Sequence, residues 1–191
     1  MISVLFAAKN SVYKTLSDSS GEPLDCWDEE RDAMKWPGGN PLVAHPPCRL
    51  FCKLKHMSTA PQLEKQLAYW AVGQVQRWGG VLEHPAGSTL WRELELPRPG
   101  KRDELGFTVG LEQYWFGHPS TKKTWLYVSG TTPSEIPAFE IRMGFPVYVF
   151  AGGKGNYVPG SRHSGIRSAT PPAFARWLIE TAERCNTKVT K

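Results

Sequence analysis

LVAHPPC, residues 42–48, and PQLEKQLAYWAVGQVQRWGGVLEHPAGS, residues 61–88, decide how this chain folds. Leu42-Val43-Ala44 is a short apolar run that stops at His45-Pro46-Pro47-Cys48. Val81-Leu82 is a second, running into Glu83-His84-Pro85-Ala86-Gly87-Ser88. Between them Leu63, Leu67, Trp70, Ala71, Val75 and Trp78 recur at the spacing of one helical face, which predicts a helix from Pro61 to Trp78. Pro61 suits its first turn, and Gly79-Gly80 is a strong stop. Strand, helix, strand in that order predicts a parallel α/β sheet, whose sites lie just beyond the carboxyl ends of the strands.

Working outward, Ser3–Ala8 reads as a first buried strand rather than a signal peptide, because MISVLFAAKNS has no basic leader or small-residue cleavage site. Trp27–Met34 is expected to form a short helix, ended by Pro37-Gly38-Gly39-Asn40-Pro41. Ser88 is expected to cap another through Leu94. Thr124–Ser129 and Val147–Phe150 read as strands. A last helix begins with Thr170 as cap and Pro171-Pro172 in its first turn, with Phe174, Leu178, Ala182 and Cys185 on one stripe. No internal repeat or long linker divides the chain, so residues 1–191 are expected to form one domain.

Composition bounds the function. The chain has 191 residues, 40% of them apolar, with eight Trp, eight Phe and six Tyr, which argues against disorder. No apolar run reaches the roughly 18–20 residues needed to span a bilayer. Four scattered cysteines do not make a disulfide scaffold, and a reducing, cytoplasmic setting fits them better. The net charge is +5, and Ile141–Ile179 alone carries five Lys or Arg and no acid until Glu180. Seven acids between Ser17 and Asp32 face only Arg31. The basic, Gly- and aromatic-rich tract FAGGKGNYVPGSRHSGIRS, with Arg162 and Arg167, has the composition to track a phosphate backbone; it also reads as an ordinary solvated loop.

Three stretches carry candidate chemistry. Pro46-Pro47 stiffens the loop that presents Cys48, and Arg49 beside it is expected to lower the thiol pKa, as a nucleophile requires; a buried turn cysteine is the bland reading. Glu83 ends the next strand, where partial burial would raise its pKa and let it donate a proton near neutral pH. Helix capping or a surface ion pair is the alternative. In Gln113-Tyr114-Trp115-Phe116-Gly117-His118-Pro119, followed by Lys122-Lys123, aromatic faces beside cations are what a flipped base would meet; a core aromatic cluster with a solvated Lys pair is equally consistent.

VAHPPC, VLEHPAGS and QYWFGHPSTKKTWLYVSG, in that order, resemble the signature blocks of DNA cytosine-C5 methyltransferases, above all the short divergent methyltransferase-like proteins of bacteriophages and prophages. The likeness covers roughly Leu42–Gly130. It implies a Rossmann-like, methyltransferase-like α/β fold, a mostly parallel sheet flanked by helices with an irregular Gly/Pro-rich C-terminal part. It implies Cys48 as nucleophile toward C6 of a pyrimidine, Glu83 stabilising the ring, and Lys122 and Lys123 orienting the pair. His45, Pro47, Arg49, His84, Gln113, His118, Arg162 and Arg167 become substrate contacts. DNA is the implied partner, in the cytoplasm of a bacterial host, and S-adenosylmethionine the implied cofactor, near Phe6, Ala8, Asn10 and Asp28. The place of the family's glycine turn reads Phe6-Ala7-Ala8-Lys9-Asn10-Ser11, with no glycine. Arg49 stands where Gln is usual, and His84 where Asn is. No separate target-recognition domain fits in this length. A non-catalytic shell that binds nucleic acid or a host defence protein is the second expectation. A zinc site from His45, Cys48, Cys52 and His56 is the third.

Overall fold

The computed structural model describes residues 1–52, 58–144 and 169–185. A six-stranded sheet organises them. Its strands are β1 (Ser3–Leu5), β2 (Asp25–Trp27), β3 (Leu42–Ala44), β4 (Gly80–Pro85), β5 (Gly106–Glu112) and β6 (Lys123–Ser129), in the order β2-β1-β3-β4-β6-β5. From β2 to β4 the pairing is parallel; β6 runs antiparallel to both β4 and β5. The chain leaves β1 toward β2 on one side and reaches β3 on the other, so strand order reverses at β1, the place where open α/β sheets hold ligands.

Two helices cover opposite faces. Helix α1 (Glu64–Trp78) buries Ala68, Ala71, Val72 and Val75 against Leu5, Leu42, Ala44, Leu82 and Tyr127. The C-terminal helix α3 (Pro172–Glu183) lays Phe174, Leu178 and Ala182 against Val4, Val43, Val81, Leu126 and Val128. Between them in sequence is the single-turn α2 (Leu90–Glu93). Each fully buried side chain of the size of Leu178 or Phe174 stabilises the fold by about 1.5–3 kcal/mol. The strand residues alternate between these two cores because successive side chains on a strand point to opposite faces. Helix α1 stops as the sequence predicts, at Gly79 with φ of 77°. Gly80 follows at φ 130° and lies so close to β3 that a Cβ there would meet the Leu42 carbonyl oxygen at 2.0 Å.

Several expectations are corrected. Trp27–Met34 is not a helix: Trp27 closes β2, and only Ala33–Lys35 makes a 3₁₀ turn, capped by Asp32. The acidic stretch hides β2, because Asp18, Asp25 and Asp28 bond the loops about it while Glu22, Glu29 and Glu30 stay exposed. Asp25 accepts from Ser3, Trp27 and Arg31. The first strand ends at Leu5, where Phe6 turns the chain with φ of 60°. Leu63, assigned to the buried stripe, precedes α1 and is 74% exposed. Pro171 takes the cap position assigned to Thr170. The short helix α2 has Thr89 rather than Ser88 at its cap position and ends at Glu93, though the Ser88 hydroxyl accepts from the Leu90 N–H at 3.0 Å. Val147–Phe150 and the basic tract with Arg162 and Arg167 lie outside the described residues. Among the described residues no helix is long and apolar enough to cross a membrane.

Candidate functional site

The carboxyl ends of β3 and β4 meet in a polar network centred on Glu83. Alternation along β4 puts Glu83 on the α3 side of the sheet with Val81, and His84 on the α1 side with Leu82. Both carboxylate oxygens of Glu83 are occupied. Oε1 accepts from Gln113 Nε2 at 3.0 Å and from Thr124 Oγ1 at 3.3 Å; Oε2 faces His45 Nδ1 at 3.0 Å. His45 Nε2 faces the Tyr13 hydroxyl at 2.8 Å. With Tyr13 donating to Nε2, Nδ1 carries the proton that His45 gives to Glu83.

This wiring sets the charge of Glu83. Burial alone would raise its pKa, but the Lys122 ammonium, the His45 hydrogen bond and the nearby imidazoles outweigh it and hold the carboxyl at about 2. Glu83 is therefore ionised near neutrality and accepts hydrogen bonds, contrary to the expectation of a proton donor. It also lies within β4, two residues before the strand's end, rather than in the loop beyond. Burial, followed by the charge of Glu83, keeps Tyr13 protonated well above its ordinary range.

Cys48 opens the 3₁₀ turn Arg49–Phe51 that follows the two prolines, and Cys52 closes it. The Cys52 thiol donates to the Cys48 carbonyl at 3.2 Å. The Cys48 pKa is raised, first by its thiol's hydrogen bond to Cys52, then by burial and by the negative potential of Cys52 and Glu83; Lys122 pulls the other way. The expected activation by Arg49 is absent: its guanidinium reaches Glu64 at 2.8 Å and is 65% exposed. Cys48 is thus a protonated thiol at rest. It shares one electrostatic neighbourhood with Glu83 and Lys122, which joins residues from three separate stretches of chain.

The remaining candidates divide. Lys122 is half-buried and acts on both Glu83 and Cys48, whereas Lys123 is exposed at the start of β6. Gln113 is fully buried, its Nε2 committed to Glu83 and Thr124 and its Oε1 without a partner among the described residues. His84 is fully buried on the other face, edge-on to Phe51 at 5.4 Å and Trp91 at 6.2 Å. Burial drives its pKa down to about 4 against the pull of Glu83 and the Pro47 carbonyl, so it is neutral and does not face the Glu83 cluster. Pro47 is half-buried in the loop between them. His118 is 1% exposed and ties a turn, its Nδ1 accepting from the Ser120 N–H at 3.1 Å. The aromatics beside it are core: Phe116 packs on Phe139, Phe174 and Trp177, and Trp115 stacks on Phe139. Tyr114 differs from them, with the Arg142 guanidinium 5.3 Å over its ring. Tyr13 and Thr124, which complete the Glu83 network, were not among the sequence candidates.

The residues at the ends of β1 and β2 do not fit S-adenosylmethionine. Asp28 does stand just past β2, where an acid would hold a ribose. Its Oδ2 is taken by Lys14 at 2.6 Å, however, and its Oδ1 by the N–H groups of Glu30 and Arg31 at 3.1 Å. The Lys14 hydrogen bond leads the effects that hold its pKa at about 2. Phe6 occupies a positive-φ position with a bulky side chain packed edge-on to Trp70, and Ala8 and Asn10 are exposed. A zinc set is likewise not assembled among the described residues. Both nitrogens of His45 are engaged elsewhere, His56 is outside the described residues, and no group of three potential ligands is present. All four cysteines are free thiols.

No family model, curated protein or solved structure matches this chain.

Proposed function

We propose that the chain is a pyrimidine-modifying enzyme of DNA, akin to the divergent phage-type C5-methyltransferases, acting in the bacterial cytoplasm. The observation that carries this reading is the buried Glu83 carboxylate bonded to His45 and Gln113 where β3 and β4 end, with Cys48 on the loop that leaves β3 and Lys122 acting on the charge of both. Support also comes from the mostly parallel sheet with helices on both faces.

The chemistry follows from the charges. A pyrimidine reaching Cys48 displaces the Cys52 hydrogen bond. The Cys48 thiol releases its proton to solvent and its sulfur adds to C6. The electron pair of the C5–C6 bond then moves onto C5 and into the ring. Lys122 stabilises that negative charge, and Glu83 accepts a hydrogen bond from a ring or exocyclic N–H. C5 is now carbanion-like and takes a proton from solvent. Loss of the original C5 hydrogen and expulsion of Cys48 restore the ring. No step is routed through S-adenosylmethionine.

Exchange of the C5 hydrogen with solvent deuterium tests the adduct without any methyl donor. Wild type and Cys185→Ala should exchange it in single-stranded DNA, and Cys48→Ala should not. Equal exchange in the two variants, or none in wild type, sinks the reading. A non-catalytic nucleic-acid-binding shell is the second reading, favoured by the raised Cys48 pKa and the committed Asp28 carboxylate.

A further inference from the structure

The outer edge of the sheet carries a cavity that the proposed chemistry does not use. It measures about 720 Å³ and wraps β5, bounded by Phe107, Val109, Pro99 and Pro133 on its apolar side and by Lys101 and Arg102 at its rim. A volume of a few hundred to a thousand cubic ångströms suits a small molecule or one unit of a polymer. The residues 99–103 that form its lip are fixed to β5 by main-chain bonds. Gly100 N–H donates to the Thr108 carbonyl at 2.9 Å, and Thr108 N–H to the Lys101 carbonyl at 3.1 Å. Gly110 belongs to the same arrangement, since a Cβ there would meet Pro99 at 3.1 Å. The wall is therefore built and not a loose loop.

Its charge is unspent. Lys101 and Arg102 are exposed and make no ion pair among the described residues. The nearest acid in sequence, Asp103, gives its carboxylate to the Tyr127 hydroxyl and to the N–H groups of Leu105 and Gly106. Thr108 belongs to the wall, with its hydroxyl sealed from solvent. Two free cations over an apolar recess of this size match a phosphate joined to a flat, weakly polar ring.

Register ties this recess to the Glu83 site. Glu83 pairs with Leu126, and Leu126 with Val109, so the cavity wall stands two strands from the carboxylate. At the spacing of adjacent strands that is about 10 Å across the sheet, a span that about three stacked nucleotides of one strand cover.

We propose that this cavity binds a nucleotide unit, with its phosphate on Lys101 and Arg102 and its base against Phe107, Val109 and the two prolines. The ligand is a free nucleotide or a nucleotide flanking the base at Cys48; the second source rests on the proposed function, the binding itself does not.

The test uses the full chain. Thymidine 5′-monophosphate is titrated by calorimetry and a labelled oligothymidylate by fluorescence anisotropy, with thymidine and hexaglutamate as phosphate-free controls. The double variant Lys101→Glu/Arg102→Glu should raise the dissociation constant of the nucleotide-bearing probe at least tenfold. Val109→Trp, which fills the recess without changing charge, should do the same. Binding of the oligonucleotide alone identifies the strand as the source; comparable binding of the mononucleotide identifies the free ligand. Unchanged affinity in both variants, no binding of either nucleotide probe, or equal binding of hexaglutamate overturns the proposal. Cys48→Ala should abolish C5-hydrogen exchange and leave mononucleotide affinity unaltered. A wild type that binds nucleotide without exchanging hydrogen would refute the catalytic reading alone.

Discussion

Glu83 and His84 are consecutive residues of β4, yet the sheet sends them to opposite faces, and the two faces treat charge in opposite ways. On the α3 side a carboxylate is buried with donors for both oxygens and a lysine nearby, and it stays ionised. On the α1 side an imidazole is buried between Phe51 and Trp91, neither ring nitrogen has a hydrogen-bond partner of good geometry among the described residues, and it stays neutral. Burial is common to both. What differs is whether the surrounding chain supplies hydrogen-bond partners, and that decides which group is available for chemistry and which is only packing.

The comparison breaks most visibly at Glu83. Glu83→Ala leaves Lys122 uncompensated and removes the partner of His45, Gln113 and Thr124. A buried hydrogen-bonding group left without its partner costs about 1–3 kcal/mol, and three lose theirs here, so urea denaturation should show a loss of at least about 2 kcal/mol, together with loss of C5-hydrogen exchange. A loss below 1 kcal/mol would mean that the network contributes little.

His84 sharpens the contrast through pH. In an unfolded chain it takes up a proton near pH 6.5; in the fold it resists until about 4. Its contribution to stability is therefore complete above pH 6.5 and is lost as the pH falls from 6.5 to 4, on the order of 3 kcal/mol in all. Glu83 adds a further loss only below its unfolded value of 4.5. His84→Phe, which keeps an aromatic ring beside Phe51 and Trp91, should flatten stability between pH 6.5 and 4.5. An unchanged slope there would show that other groups set it.

Tyr13→Phe removes the hydroxyl that satisfies His45 Nε2 and should cost about 1–3 kcal/mol, the penalty for an unmade buried hydrogen bond. It should slow exchange without abolishing it, because His45 keeps its contact with Glu83. The smallest effect is expected at the lysine pair. Lys123→Met should change stability by less than about 0.5 kcal/mol, while Lys122→Met should slow exchange. Similar rates in the two would erase the distinction that their positions draw.

The parts of the fold carried by long periodic patterns were legible in the sequence. Helices α1 and α3 announce themselves by apolar spacing and by their breakers, and the β3 and β4 cores by short apolar runs. Strand β2 was not legible, because Asp25-Cys26-Trp27 is short, half-buried and set in an acidic stretch. Nor was β5, where Gly106 and Gly110 interrupt the alternation; the first glycine is needed because a Cβ there would meet the Val128 carbonyl at 2.3 Å. Of the site, Cys48, Glu83, His45, Gln113 and Lys122 were readable from strand ends and motif order. Their protonation states were not. Arg49 stands next to the thiol in sequence but spends its charge on Glu64, and the donors that hold Glu83 ionised come from stretches 30 and more residues away. Tyr13 left no signal in its Ser- and Asp-rich surroundings; only its depth, at 1% exposure, marks it.

Gly80 sits at the opposite end of β4 from the chemistry, and what matters there is an atom it lacks. Any side chain at that position would strike the Leu42 main chain and wedge the two strands open. The spacing of β3 and β4, whose other ends bring His45 against Glu83, is thus gauged from the far end, as the jaws of a pair of tweezers are by their joint. A methyl group added at the joint should misalign the tips without touching them.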